Sequence, residues 1–128
     1  MKHLGLSGEF KHDDKKVSFL LDMYVFKEGN SFIVYSPALD MSAYGNTSEE
    51  AQKAFEDIIE SSFKYSLNKN TFKEDLQKHG WKITSLKQKK IKAPSVEELM
   101  KHNDCFKDII NNKDYTRYKK DILVPELV

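Results

Sequence analysis

Phe32-Ile33-Val34-Tyr35-Ser36-Pro37, a polar interval, and then Thr47-Ser48-Glu49-Glu50 leading into Ala51–Phe63 form the stretch that decides the fold. Phe32–Tyr35 is an apolar run, and Pro37 stops it because proline has no backbone N–H to give a neighbouring strand. Gly45 and Asn46 supply a turn, since both tolerate positive φ. Thr47 and Glu50 are spaced as a capping box: the hydroxyl takes the Glu50 N–H and the carboxylate reaches back to the Thr47 N–H. Ala51, Ala54, Phe55, Ile58, Ile59, Ser62 and Phe63 then recur at helical spacing and make one apolar stripe. The small Ala51 and Ala54 bring the first turns close to a sheet, and Phe55, Ile58 and Ile59 fill the layer behind. This predicts a strand–turn–helix unit with one helix packed on one sheet.

Upstream, Val17–Phe26 alternates with period two. Val17, Phe19, Leu21, Met23 and Val25 share one side; Ser18, Leu20, Asp22, Tyr24 and Phe26 share the other. The second side is semi-apolar, which fits either cover on both faces or burial between two copies of the chain. Lys27–Asn30 reads as a four-residue hairpin loop before the strand Ser31–Tyr35. In residues 1–16, Leu4, Leu6 and Phe10 suit either a short edge strand or a loose terminus.

Downstream, the main helix runs to about Leu67, and Thr71-Phe72-Lys73-Glu74 is a second capping box. Phe72 and Leu76 face inward, and Gly80 sits where a helix ends in the left-handed conformation. Trp81 then serves as a core anchor ahead of a strand at Lys82–Ser85. Ser95-Val96-Glu97-Glu98 is a third capping box, opening a helix that breaks near Asn103-Asp104, where Asn103 caps a fresh turn. Tyr118–Val124 closes the sheet and Pro125 ends it. The expected class is α+β: an antiparallel sheet of Val17–Phe26, Ser31–Tyr35, Lys82–Ser85 and Tyr118–Val124, the Ser48–Leu67 helix across one face, and a C-terminal helix.

The 128 residues suffice for one domain with a real core, and 39% hydrophobic with 32% charged residues suits a folded chain better than disorder. No apolar run approaches the ~20 residues of a membrane span. Met-Lys-His-Leu-Gly-Leu carries no signal-peptide core, so a cytoplasmic location is expected. The single Cys105 excludes an internal disulfide and a multi-thiolate metal site. His3 and His12 lie in polar sequence without a third ligand at useful spacing, which predicts solvated histidines; no metal or cofactor is expected. A net charge of +1 gives no overall drive toward nucleic acid. The compact run Lys87-Gln88-Lys89-Lys90-Ile91-Lys92 is instead a local basic patch, read either as a solvated edge or, with Lys82, as a phosphate-contacting site. Asp22, Asp40 and Asp57 are scattered acids rather than the convergent set a metal-dependent nuclease needs.

Phe32–Asp40, then Ala43-Tyr44-Gly45-Asn46-Thr47-Ser48-Glu49-Glu50-Ala51 and Ala54-Phe55, resembles the N-terminal domain of HicB-type antitoxins. That family pattern is an aromatic-bearing strand, Pro-x-Leu-x-Gly, a second Gly, Thr-x-x-Glu-Ala and a helix. Asp40 or Met41 stands where the family has its first glycine. The resemblance spans about residues 17–67 and implies a HicB-like core over about 17–83 with a C-terminal extension over about 84–128, in one domain over 1–128. It implies a partial, degenerate ribonuclease-H-like fold without nuclease residues, whose partner is a small toxin ribonuclease of the HicA type. By that resemblance, Tyr35, Leu39 and Tyr44 are the partner-binding candidates. The alternative is a nucleic-acid-binding or regulatory domain using Lys82, Lys87, Lys89, Lys90 and Lys92. Residues 84–128 show neither a helix-turn-helix nor a ribbon-helix-helix pattern, so operator binding is not expected. Leu20, Tyr24 and Phe26 on the second side of their strand point to a homodimer.

Overall fold

The computed structural model describes the backbone of residues 2–3, 9–13, 16–85 and 90–124 and the side chains of residues 20–84 and 91–121. The expectations for Leu4, Leu6 and Pro125 lie outside these. In chain order the elements are β1 (Lys2–His3), β2 (Glu9–Asp13), β3 (Lys16–Glu28), β4 (Ser31–Ser36), β5 (Met41–Gly45), α1 (Ser48–Asn68) and α2 (Phe72–Lys78). They are followed by β6 (Lys82–Ser85), β7 (Lys90–Lys92), α3 (Val96–His102), α4 (Asp104–Asn112) and β8 (Tyr115–Val124). The class is α+β, with an antiparallel sheet and α1 as the main helix on it, as the sequence predicts.

Strand β3 is the hub. One edge pairs with β8 from Val17↔Val124 to Phe26↔Tyr115. Its other edge pairs with β4 from Tyr24↔Tyr35 to Glu28↔Ser31, and near its start with β2. The β3–β4 loop is tighter than the four residues expected: Glu28 already pairs with Ser31, leaving Gly29-Asn30 as a two-residue turn with Gly29 at φ +61. A glycine at the first loop position suits the type II′ turn, whose twist matches the flanking strands.

Two expectations about the sheet are corrected. Lys82–Ser85 does not join it; it pairs with Lys90–Lys92 in a separate two-stranded ribbon. The place beside β4 is taken by β5, with Val34↔Ala43 and Ile33↔Tyr44 in register. The polar look of Met41–Gly45 conceals a period-two strand whose Ala43 is buried and whose Ser42 and Tyr44 face solvent. Gly45 ends this strand and is not a positive-φ turn residue. A Cβ there would stand 2.7 Å from the Ala51 N and 2.8 Å from the Glu50 Cβ, so the glycine is required by the closeness of β5 to α1. The positive φ falls on Asp40, at +52, in the turn between β4 and β5 where the resemblance has a glycine. Aspartate is among the few residues that enter this region at modest cost.

The alternation of β3 separates two cores. Leu21, Met23 and Val25 join Val34, Ala43, Ala51, Phe55, Ile59 and Phe63 under α1, with α2 and the ribbon adding Phe72, Leu76, Trp81, Ile83 and Ile91. Tyr24, Phe26 and Tyr35 face the other way, against Leu99, Phe106 and Ile109 of α3 and α4. Burying each large apolar side chain contributes ~1.5–3 kcal/mol. Of the three residues that motivated a homodimer, Tyr24 and Phe26 are therefore covered within the chain, while Leu20 is half-buried. Ile58, expected inward, is 42% exposed, because Ala51, Phe55, Ile59, Phe63 and Ser66 define the buried line of α1.

The caps differ in detail. Thr47 accepts the Glu50 N–H at 3.1 Å, and Ser95 with Glu98 forms the full reciprocal box. The Thr71 hydroxyl does not cap its helix; it donates to the Asp75 carboxylate at 3.0 Å. Trp81 is a core anchor as expected, and its Nε1–H donates to the Ala38 carbonyl at 2.7 Å. No described helix is long and apolar enough to cross a membrane.

Candidate functional site

The turn from β4 to β5 and the junction between α3 and α4 meet in a polar network. The Tyr35 hydroxyl donates to Asp40 Oδ1 at 2.6 Å and accepts from Asn103 Nδ2 at 2.8 Å. Asn103 Oδ1 in turn accepts the Phe106 N–H at 2.9 Å, so one side chain caps α4 and ties it to the sheet. Burial, and next the Asp40 carboxylate, hold the Tyr35 hydroxyl protonated far above the usual phenol range. Burial also pushes the Cys105 thiol up, which makes it a weaker nucleophile at neutral pH.

Beside this network lies a cleft of about 570 Å³ between the β4–β5 turn, the end of α2 and the α3–α4 junction. Its rim carries both signs, Asp40, Glu98 and Asp104 against Lys78, with the imidazoles of His79 and His102 also in the lining. A mixed rim selects neither an anion nor a cation. Among the described residues no group of three His, Cys, Asp or Glu side chains is placed to hold a metal ion. Asp22 is buried and paired with Lys119 Nζ at 3.1 Å, Asp40 is engaged by Tyr35, and Asp57 faces solvent on α1 across the sheet from Asp22. These three acids do not converge.

Of the partner-binding candidates, Tyr35 and Leu39 are core residues at 4% and 3% exposure. Their side chains are turned into the molecule and not toward the surface where a partner would sit. Tyr44 differs: it is 74% exposed on β5, the last strand on its side of the described sheet. The sequence flagged its residue type but not the strand that displays it.

The lysine candidates divide. Lys82 and Lys92 are exposed and stand opposite each other in the ribbon, while Lys90 pairs with Ser85 through the backbone. Lys87 and Lys89 lie outside the described residues. Glu98 sits in the field of Lys82 and Lys92, and its carboxyl is held below its ordinary range chiefly by the Ser95 backbone N–H. Sequence reasoning missed two further exposed apolar groups, Ile58 and Tyr65 of α1. Their signal was the helical spacing itself, since a stripe wider than the sheet contact leaves its margin in solvent.

No family model matches the chain, and no curated protein or solved structure matches it.

Proposed function

We propose that this chain is a non-enzymatic binding domain of the HicB antitoxin type, acting in the cytoplasm to neutralise a small toxin ribonuclease by covering its RNA site. The observation that carries the reading is Tyr44, a large aromatic that is 74% exposed on an edge strand. Packing within the chain gives no reason for that exposure, and tyrosine is among the residues that dominate protein-binding hot spots. The order β3–β4–β5–α1, a three-stranded meander followed by a helix on one face, agrees with the partial ribonuclease-H-like fold implied by the resemblance. Tyr35 and Leu39 act in this reading by fixing the turn that leads into β5.

The test is co-expression with a small basic protein of the HicA type, such as one found in a neighbouring reading frame. A stable complex, with relief of that protein's toxicity, is expected, and Tyr44→Ala should weaken the complex at least about tenfold. Absence of any complex together with unchanged toxicity would sink the antitoxin reading.

The second reading, nucleic-acid binding, rests on the facing pair Lys82 and Lys92. Phosphate contact by these lysines would give binding that falls steeply with salt.

A further inference from the structure

We infer that two copies of this chain associate through the free edge of β5 and the adjoining flank of α1, extending the sheet across a two-fold axis. The inference is independent of the antitoxin reading. Two of the free edges of the described sheet, those of β8 and β5, are built differently. Edge strand β8 carries Arg117, Lys119, Lys120 and Asp121, the charged residues by which proteins discourage edge-to-edge pairing. Edge strand β5, Met-Ser-Ala-Tyr-Gly, carries no charge and no proline.

Helix α1 shows the same asymmetry. Its Glu56 reaches Lys120 of β8 at 3.1 Å, so that flank leans toward the charged edge. Ser62 lines a small cleft with Met41 at the start of β5, so the opposite flank leans toward the bare edge. Along that second flank run Ala54, Ile58, Ser62 and Tyr65 at three- and four-residue spacing, and the row ends at Lys69, whose Nζ lies 4.7 Å from the Tyr65 ring centroid. Ile58 and Tyr65 are 42% and 61% exposed. Bare strand and bare helix flank thus form one continuous surface.

Its geometry suits a second copy. Gly45 at the end of β5 abuts Ala51, and Met41 at the start lies by Ser62, so α1 runs antiparallel to β5. Ile58, the midpoint of Ser48–Asn68, then stands near Ala43, the midpoint of Met41–Gly45. An axis through those midpoints pairs β5 with its mate antiparallel and sets Ile58 beside the partner's Ile58. Small Ala54 then faces the partner's Ser62, and the charged groups nearest the patch, Lys69 beside Tyr65 and Asp75 and Lys78 of the cleft by Met41 and Ser62, lie toward the C-terminal end of α1, away from the axis. The patch runs roughly 30 Å along the helix and about 17 Å along the five-residue strand, giving on the order of 1,000 Å² buried in total, the low end for a specific interface. Tyr44 points to the sheet face opposite α1, and the pairing sets it across from the partner's Ser42, so the dimer and a partner bound at Tyr44 share strand β5.

The test uses the whole chain. Sedimentation at about 100 µM, a concentration suited to micromolar association, should show twice the chain mass, and Ile58→Glu should sediment as monomer with an unchanged circular dichroism spectrum. In a Cys105→Ser background, Ile58→Cys should form an intermolecular disulfide under mild oxidation, while Glu60→Cys on the other flank should not. A monomeric wild type at that concentration, a dimer indifferent to Ile58→Glu, or equal cross-linking at both positions would each overturn the inference.

Discussion

The Asn103 amide donates to the Tyr35 hydroxyl at 2.8 Å, joining residues 68 positions apart and fastening the α3–α4 pair to β4. Asn103→Ala removes this bond and the α4 cap together. Loss of a cap costs about 0.5–2 kcal/mol and loss of a bond to a buried hydroxyl about 1 kcal/mol more. Urea unfolding should show a loss of about 2–3 kcal/mol, and Asn103→Ser, which restores only the cap, should recover part of it.

Each face of the sheet has one fully buried phenylalanine from a covering helix, Phe55 on α1 and Phe106 on α4. Phe55→Ala and Phe106→Ala should each cost ~3–5 kcal/mol by denaturant titration. A loss under about 1 kcal/mol at either site would mean that helix does not cover its face as described.

Gly45→Ala tests the contact between β5 and α1. The added methyl meets backbone and Cβ atoms at 2.7–2.9 Å, with no flexible side-chain end to yield. A destabilisation of about 1–3 kcal/mol is expected. A melting temperature unchanged from wild type would show that strand and helix are further apart.

Alkaline pH should weaken the fold through its buried phenols. Burial, and then Glu56, push the Tyr118 hydroxyl up to about 12, above its ordinary value of 10.0. A group raised in the folded state contributes stability that is intact below the unfolded pKa and is lost as pH climbs to the folded one. Stability should therefore fall between about pH 10 and pH 12, and Tyr118→Phe should flatten that part of the profile. Chemical denaturation at several pH values gives the comparison.

The two functional readings separate by substitution. Replacing Lys82, Lys87, Lys89, Lys90 and Lys92 with glutamine should leave toxin binding within about twofold while abolishing any salt-dependent nucleic-acid binding. Tyr44→Ala should do the reverse, and as an exposed substitution it should change stability by no more than about 0.5 kcal/mol. Fluorescence anisotropy with a labelled oligonucleotide and calorimetry with the toxin report the two separately.

How much of this was legible depended on whether local pattern and tertiary placement agree. The α1 cap at Thr47, the buried Phe55–Ile59–Phe63 line and the Asn103 restart are local, and the residues spell them out. The alternation of β3 announced two apolar faces, yet periodicity cannot say which segment covers the second; Phe106 and Ile109 do so from far along the chain. Lys82–Ser85 looked like a sheet strand because pairing partners are not encoded in a strand's own alternation. Strand β5 escaped notice because five residues with two polar members barely register as period two. At the site, Tyr44 was identifiable by type, while the burial of Tyr35 and Leu39 is set by the turn that Asp40 makes.

The pairing of β3 with β8 has a consequence for how the protein is made. The strand that closes the edge of Val17–Phe26, Tyr115–Val124, is synthesised long after it, with α1 to α4 in between. Until Tyr115 emerges the nascent chain therefore carries an apolar strand with one side open, and the cover for Tyr24 and Phe26 arrives only shortly before that strand does. Such an edge is a template for unwanted pairing, and contacts this distant in sequence form slowly. A transcript cut short before Tyr115 would yield a sticky fragment, so protection by a chaperone matters until that strand has emerged.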